Sequence, residues 1–170
     1  RFNPRAIPGS LDGAQNSDRS YEVKGLILEE SKKIPSLALG IRDLLGTGKW
    51  SGEYIVASKG LGAFDISAGF GWGRFAGRES FSNPLEIISN RFSERPTIAV
   101  GGGVGGEVRF KSFFRGDVGM FGGVRYSVPN MPLNLVAEYT SDDYEREVSL
   151  RSIQKSSPFS FSVEWMILDG

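Results

Sequence analysis

Cysteine and histidine are absent from this sequence of 170 residues. Without them the chain has no thiol nucleophile, no disulfide, no thiolate or imidazole metal ligand and no histidine general base. Most familiar catalytic and metal-binding arrangements are therefore excluded. We expect no metal site, no other cofactor and no enzymatic activity.

Net charge and long apolar runs are absent as well. Lys plus Arg and Asp plus Glu each number 20, so the formal charge is zero and no long-range field favours nucleic acid as a partner. No run of about eighteen apolar residues is present to form a transmembrane helix, and the first residues do not resemble a signal peptide. The chain begins at Arg1 without Met, which indicates a mature or truncated piece.

Glycine, in contrast, is abundant at 23 residues, while hydrophobic residues make up 39% and the mean hydropathy is −0.20. This composition is typical of a β-rich, turn-rich protein, and the length fits one domain. Residues 1–20 contain several Pro, Gly, Asn, Asp and Ser and are predicted to form an N-terminal loop. Residues 21–170 are predicted to form one β-barrel segment.

Apolar and polar residues alternate with a period of two, which predicts half-apolar β-strands. The clearest case is residues 64–72, where Phe64, Ile66 and Phe70 alternate with Asp65 and small residues. The predicted strands cover residues 37–42, 50–58, 64–72, 117–126, 133–139 and 159–167, together with residues 21–30, which are apolar on both faces and have no clear phase. Glycine and proline turns such as residues 59–62 and 129–132 link several of them closely, so the sequence predicts an all-β antiparallel meander.

A long loop at about residues 74–115 interrupts this pattern. Asn83 and Pro84 are typical of a helix start, and they predict one short helix over Pro84–Arg91. Residues 101–106 satisfy the G-x-G-x-x-G pattern of dinucleotide sites, but no helical periodicity follows them. They therefore favour a flexible hairpin or a loop in a barrel lumen.

Alternation alone does not tell whether the apolar faces contact lipid or a protein core. Three features favour a transmembrane barrel: small residues on the polar faces, strands of about nine to eleven residues and aromatics near strand ends. The predicted lipid-facing or girdle aromatics are Trp50, Tyr54, Trp72, Tyr126, Tyr139 and Trp165. The predicted lumen-facing and polysaccharide-facing residues are Arg42, Glu53, Asp65, Arg125, Glu138 and Glu164, although salt bridges filling a narrow barrel would explain them equally.

Two other functions fit parts of the pattern. A soluble or surface-exposed β-domain could bind carbohydrate, with Trp50 and Trp72 exposed as stacking platforms and with Phe64 and Phe70 buried. A hydrolase would need two carboxylates at a defined separation, for instance Asp142 with Glu138. Solvated charges or pore lining explain such carboxylates more simply.

A set of short segments is distinctive when taken together: residues 34–48, 51–59, 64–65 and 69–73, and further Asn83-Pro84, Arg91-Phe92, Arg95-Pro96, residues 113–116 and 121–124, residues 135–139 and residues 142–144. These segments resemble the YjbH family of exopolysaccharide-associated outer-membrane proteins. The resemblance spans about residues 21–167. It carries no catalytic residues, and the matching Arg42-Asp43 and Glu53 have no assigned role.

The resemblance implies a β-barrel protein of the Gram-negative outer membrane, encoded with exopolysaccharide production and export functions and sometimes described as a lipoprotein. Family members are much longer and build more than one barrel, so a lipoprotein cysteine would lie before Arg1. The expected partners are outer-membrane lipid, exopolysaccharide and other envelope export proteins. The expected function is a non-enzymatic role in exopolysaccharide production and export.

Overall fold

The structure is a computed structural model that describes residues 21–46, 48, 50–96, 108–143 and 157–166. The predicted N-terminal loop of residues 1–20, the glycine run of residues 101–106 and Ile167 lie outside the described residues.

One antiparallel sheet contains seven strands in the order of the sequence. The strands are β1 (Glu22–Leu28), β2 (Ser36–Arg42), β3 (Gly52–Leu61), β4 (Phe64–Trp72), β5 (Val118–Ser127), β6 (Leu133–Thr140) and β7 (Phe159–Trp165). The predicted all-β antiparallel meander is confirmed. Strands β1 and β7 are the two edges, so the described part of the sheet is open and not closed into a barrel.

Strand lengths differ from the predicted nine to eleven residues. Only β3, β4 and β5 reach that range, with 10, 9 and 10 residues, whereas the other strands have seven or eight. An irregular register between Leu26 and Leu28 interrupts the β1–β2 ladder. Trp50 lies before β3 rather than in it, because its N–H donates to the Asp43 carboxylate (3.1 Å) instead of to the ladder.

The register gives the sheet two chemically different faces. Phe70 of β4 lies opposite Ile55 of β3 and Met120 of β5, and the same alternation continues to both edges. We define the apolar face by Val23, Leu37, Leu39, Ile41, Ile55, Ala57, Leu61, Phe64, Ile66, Phe70, Trp72, Val118, Met120, Val124, Tyr126, Leu133, Leu135, Tyr139, Phe159, Phe161, Val163 and Trp165. We define the small-residue face by Ser36, Ala38, Gly40, Arg42, Tyr54, Val56, Ser58, Asp65, Ser67, Gly69, Gly71, Gly119, Phe121, Gly123, Arg125, Asn134, Val136, Glu138, Ser160, Ser162 and Glu164. The alternation has exceptions: Leu26 points to the small-residue face, and Glu53 and Lys59 point to the apolar face.

The two ends of the sheet carry connections of different length. At the short-turn end lie residues 29–35, 62–63 and 128–132, and Gly62 turns the tightest of these hairpins with a φ of 66°. At the long-loop end lie residues 43–51, 73–117 and 141–158. No helix of the described residues is long and apolar enough to cross a membrane.

The predicted helix over Pro84–Arg91 is replaced by two short 3₁₀ helices, Pro84–Ile87 and Asn90–Phe92. The Asn83 side chain accepts from the Leu85 N–H as predicted, with Pro84 in the first turn. The helix does not continue because Ser89 is extended and its hydroxyl caps the next turn through the Arg91 N–H. Two further 3₁₀ turns, Gly73–Phe75 and Phe110–Ser112, lie in the same connection.

Buried hydrophobic side chains are few and include Trp72, Phe75 and Val118, which lie near the long-loop end of the sheet. The described residues of the β4–β5 connection, 73–96 and 108–117, fold back over that end, with Phe75 against the small-residue face and Phe114 against the apolar face. The packed part of the described structure is therefore at the long-loop end, while most of the apolar face has no second layer over it.

Candidate functional site

Charged and hydroxyl groups cover much of the small-residue face. Arg125 pairs with Glu164 at 3.3 Å, and Asp65 lies directly opposite Arg125 in the register of β4 and β5. Ser160 donates to Glu138 at 3.2 Å, and the hydroxyls of Ser58 and Ser67 are 2.8 Å apart. These groups lie next to glycine and serine, so long side chains do not cover them.

The Arg125–Glu164 pair is nearly half exposed on both sides, at 47% and 44%. An ion pair at that exposure contributes about 0–1 kcal/mol to stability because water screens it. Arg125 and Glu164 can therefore each give up this ion pair for a hydrogen bond to another molecule at a small cost in free energy. The face can bind a polar molecule through a guanidinium group, carboxylates and hydroxyls.

Three aromatic rings lie together on the small-residue face near the long-loop end. Tyr54 meets Phe75 edge-on at 5.7 Å between centroids and Phe121 at 6.0 Å. The Arg42 guanidinium stacks over Phe75 at 5.2 Å, and the Tyr54 hydroxyl donates to Glu22 at 3.0 Å. The three rings, with Arg42 and Glu22, therefore occupy space in front of the small-residue face at this end.

Glycine provides the room for these rings. A Cβ at Gly40 would overlap the Tyr54 ring, and one at Gly71 would overlap Phe75. The small residues of this face thus serve two purposes: they accommodate the aromatic cluster at one end and leave polar side chains uncovered elsewhere.

Two predicted residues lie on the opposite face from the one expected. Tyr54 pairs with Gly71 and Gly40 and points to the small-residue face, where it is buried, so it does not share a face with Ile55 and Phe70. Glu53, its neighbour in the strand, lies on the apolar face with Ile55, so its predicted place beside Asp65 is wrong. Adjacent residues of a strand must point to opposite faces, and the glycines across from Tyr54 decide which way it points.

The register also gives the sheet face of each other predicted residue except Trp50. Arg42, Asp65, Arg125, Glu138 and Glu164 are on the small-residue face. Trp72, Tyr126, Tyr139 and Trp165 are on the apolar face, although Trp72 is only 5% exposed because Phe114 packs on it. Trp50 lies in the connection of residues 43–51, with the Arg74 guanidinium over its ring at 5.1 Å.

Glu53 is fully buried and forms the centre of a network at the long-loop end. Its carboxylate accepts from both terminal nitrogens of Arg95, at 2.8 and 2.9 Å, and from the Phe114 N–H at 2.9 Å. Arg95 also donates to the Ser51 hydroxyl at 3.0 Å. This bidentate pair fastens the connection of residues 73–117 to β3. Sequence reasoning missed Arg95, because nothing in the local pattern links it to a strand 42 residues earlier.

The two carboxylates considered for hydrolysis have separate partners. Asp142 is buried and pairs with Arg74 at 2.7 Å, while Glu138 accepts from Ser160 on the small-residue face. Among residues 21–46, 50–96, 108–143 and 157–166, no group of three or more acidic residues is arranged to hold a metal ion.

One carboxyl group at the short-turn end has a perturbed pKa. A hydrogen bond from the Lys59 ammonium group to Glu30 (3.0 Å) and a second from the Gly60 N–H (3.1 Å) lower the pKa of Glu30 below its usual range. Both bonds favour the ionised carboxylate. The Glu30 carboxylate thereby accepts from the Gly60 N–H, which lies beyond Ser36–Ser58, the last residue pair of the β2–β3 ladder.

Comparisons with known proteins cover almost the whole chain. The model of the YjbH family, described as "Exopolysaccharide biosynthesis protein YbjH", matches residues 4–170. The chain is 36% identical over 139 residues to the "Uncharacterized lipoprotein YjbH" of Escherichia coli K12, a stretch that covers 82% of this chain and 20% of that protein. No solved structure matches the chain. The resemblance found in the sequence is confirmed, and the chain belongs to the YjbH family of exopolysaccharide biosynthesis proteins.

Proposed function

We propose that these strands form part of a β-barrel in the Gram-negative outer membrane, which takes part in exopolysaccharide production and export without catalysing a reaction. In this proposal the apolar face contacts lipid and the small-residue face lines the barrel interior. The observation that carries the proposal is the register, which places most of the large apolar side chains of the strands on one face, exposed in β1 and in β3 to β7, and mainly small or polar residues on the other.

The exposure of the apolar face supports lipid as its neighbour. Phe161 is 80% exposed and Trp165 61%, and no second layer packs on them in the described structure. An apolar patch of this extent is unusual on a monomer in water, whereas it is required on the outside of a membrane barrel.

The carbohydrate-binding alternative made a specific prediction that is wrong. It required Phe64 and Phe70 to be buried and Trp72 to be exposed in water, whereas the two phenylalanines are 45% and 48% exposed and Trp72 is 5% exposed. A second sheet, which a soluble sandwich needs, is not present among the described residues.

The open edges fit a larger barrel. In lipid the unpaired backbone groups of β1 and β7 would each cost several kcal/mol, so a spanning sheet must close on further strands. The curated relative is much longer than this chain, which covers 20% of it. We propose that strands outside the described sheet complete the barrel.

The chemistry of the small-residue face suits a sugar polymer. Hydroxyls, carboxylates and Arg125 offer donors and acceptors to sugar hydroxyls, and the Tyr54–Phe75–Phe121 cluster narrows the interior near the long-loop end. The partners we propose are outer-membrane lipid, exopolysaccharide and other envelope export proteins.

Two cysteine variants of the full-length protein, Ile66→Cys and Ser67→Cys, test the proposal in a background without other free cysteines, and the 170 residues contain none to replace. Spin labels at these sites are read by collision with oxygen, which concentrates in lipid, and with a water-soluble nickel complex. We expect the Ile66 label to respond to oxygen and the Ser67 label to nickel. In cells relying on the same variants, a bulky thiol adduct at Ser67 should lower exopolysaccharide secretion, while the adduct at Ile66 should not.

The two readouts separate the parts of the proposal. A detergent-free, water-soluble protein in which the Ile66 label is buried would contradict the membrane assignment and favour the carbohydrate-binding domain. The expected collision pattern with secretion unchanged by the Ser67 adduct would instead contradict the role of the interior.

A further inference from the structure

The connection of residues 73–117 lies over the apolar face at the long-loop end. Phe81 forms an antiparallel bridge to Val118, and its ring meets Phe70 at 6.1 Å. Phe114 packs edge-on against Trp72 at 5.1 Å. Phe70, Trp72 and Val118 all belong to the apolar face, so this part of the connection lies on the outer side of the proposed barrel wall rather than over its interior.

The buried Glu53–Arg95 pair holds the segment in that position. Glu53 is on the apolar face of β3, and it binds both the Arg95 side chain and the Phe114 backbone. Asn83 adds two bonds across the connection, donating to the carbonyls of Phe92 (3.0 Å) and Phe114 (2.8 Å). These bonds link the two described parts of the connection, residues 73–96 and 108–117, to each other and to β3.

That outer surface presents large apolar side chains to the surroundings. Ile87 is 93% exposed, Ile88 77% and Phe110 76%, which are among the highest exposures of large hydrophobics in the described residues. Such exposed apolar side chains promote aggregation in water, whereas beside a lipid-facing sheet they would contact the acyl chains of the lipid.

A cleft of about 340 Å³ lies in the same segment, and three arginines, Arg91, Arg95 and Arg115, line it. Glu94 is the one acidic residue in its lining. Arg95 is engaged by Glu53, whereas Arg91 and Arg115 form no ion pair within the described part of the chain. Two guanidinium groups at an open cleft are suited to bind phosphate oxygens.

We propose that the described residues of this connection, 73–96 and 108–117, bind the phosphate-bearing headgroups of anionic membrane lipids, with Arg91 and Arg115 at the phosphate and with Ile87, Ile88 and Phe110 among the acyl chains. The inference rests on the proposed membrane barrel. It is favoured by charge complementarity and by the ring contacts Phe81–Phe70 and Phe114–Trp72, which place the connection against the apolar face. Outer-membrane-type barrels place long loops on the extracellular side, so the lipid is that of the outer leaflet.

The test uses the full-length protein in lipid nanodiscs, with a bimane fluorophore at Ile88→Cys. Quenching is compared between brominated phosphatidylglycerol, which is anionic, and brominated phosphatidylcholine, which is neutral overall. We expect stronger quenching by the anionic lipid, equivalent to enrichment of about fivefold for each arginine near the surface. Arg91→Gln with Arg115→Gln should bring the ratio close to one, while Arg125→Gln on the small-residue face should leave it unchanged.

The possible results discriminate between the explanations. Equal quenching by both lipids, or an anionic preference that survives loss of both arginines, would overturn headgroup recognition. Displacement of the anionic lipid by inorganic phosphate would identify a free-phosphate site, and displacement by an acidic polysaccharide such as alginate would identify a polymer site. A second fluorophore at Ile66→Cys reports the barrel wall: quenching at Ile66 without quenching at Ile88 contradicts only this inference, and no quenching at Ile66 contradicts the proposed function.

Discussion

At the scale of single residues, Glu53 shows how a charge can stand on an apolar face. It is fully buried yet accepts three hydrogen bonds, two from Arg95 and one from the Phe114 N–H. Burial of an ion is tolerated when its partners replace the lost water in this way. The exposed pair of Arg125 and Glu164 has the same charges but keeps much of its hydration.

Glu53→Ala should therefore destabilise the protein far more than Glu164→Ala. Glu53→Ala removes the carboxylate that accepts from Arg95 and from the Phe114 N–H, and it should cost about 3–5 kcal/mol. Glu164→Ala should cost about 0–1 kcal/mol. The free energies of unfolding are measured by urea titration of the full-length protein refolded in lipid vesicles. Tryptic cleavage at Arg115 should also become faster in Glu53→Ala. Equal losses in both variants would contradict the role given to the buried pair.

The residue scale also shows the limit of sequence reasoning about sites. Alternation correctly separated Asp65, Arg125 and Glu164 from the apolar side chains, because a period of two depends only on neighbours in the chain. It failed for Glu53 and Tyr54, because their orientation depends on Gly40 and Gly71 across the sheet and on Arg95 far along the chain. Those contacts exist only once the register and the long connection are known.

At the scale of elements, the strands were predictable and their ends were not. Six were anticipated from alternation and the first from an apolar run without a clear phase, and their antiparallel order followed from short glycine and proline turns. Their bounds depend on local hydrogen bonds that alternation does not contain. The Trp50 N–H donates to the Asp43 carboxylate instead of to the ladder, so β3 begins after Trp50. Ser89 caps the turn Asn90–Phe92, so the predicted helix is divided into two 3₁₀ helices.

The turn between β1 and β2 gives a test at this scale. The Glu30 carboxylate accepts hydrogen bonds from the Lys59 ammonium group and from the Gly60 N–H. Lys59 also donates to the Ser31 carbonyl. Because these bonds lower the pKa of Glu30, they stabilise the turn above the pKa of an unfolded glutamate, and the contribution is lost as pH falls through the lower pKa of the folded state.

An NMR titration of the Gly60 amide should show a midpoint below the usual glutamate range. Lys59→Met should raise that midpoint, since the Lys59 hydrogen bond is the largest cause of the lowered pKa. Lys33→Met removes a charge from the same turn without removing that bond and serves as the control. If Lys59→Met leaves the titration midpoint unchanged, the Lys59–Glu30 hydrogen bond of the structure is contradicted.

At the scale of the whole molecule, the sheet is asymmetric along the strands as well as across them. Turns of residues 62–63 and 128–132 lie at one end, and the connection of residues 73–117 lies at the other. Outer-membrane-type barrels have short periplasmic turns and longer extracellular loops. The proposed barrel therefore has a defined orientation, with the aromatic cluster and the Glu53–Arg95 pair near its outer opening.

This orientation can be measured in intact cells with cysteines at the two ends of the sheet, Lys111→Cys in the long connection and Met131→Cys in the β5–β6 turn. Both side chains are exposed, so neither site is protected by packing. A membrane-impermeant maleimide should label Lys111→Cys on intact cells and Met131→Cys only after the outer membrane is permeabilised. Since the two variants share one sheet, labelling of Met131→Cys alone would invert the orientation and move the proposed lipid-binding segment to the inner leaflet. Labelling of both sites on intact cells would mean that no membrane separates the two ends, which would contradict the barrel itself.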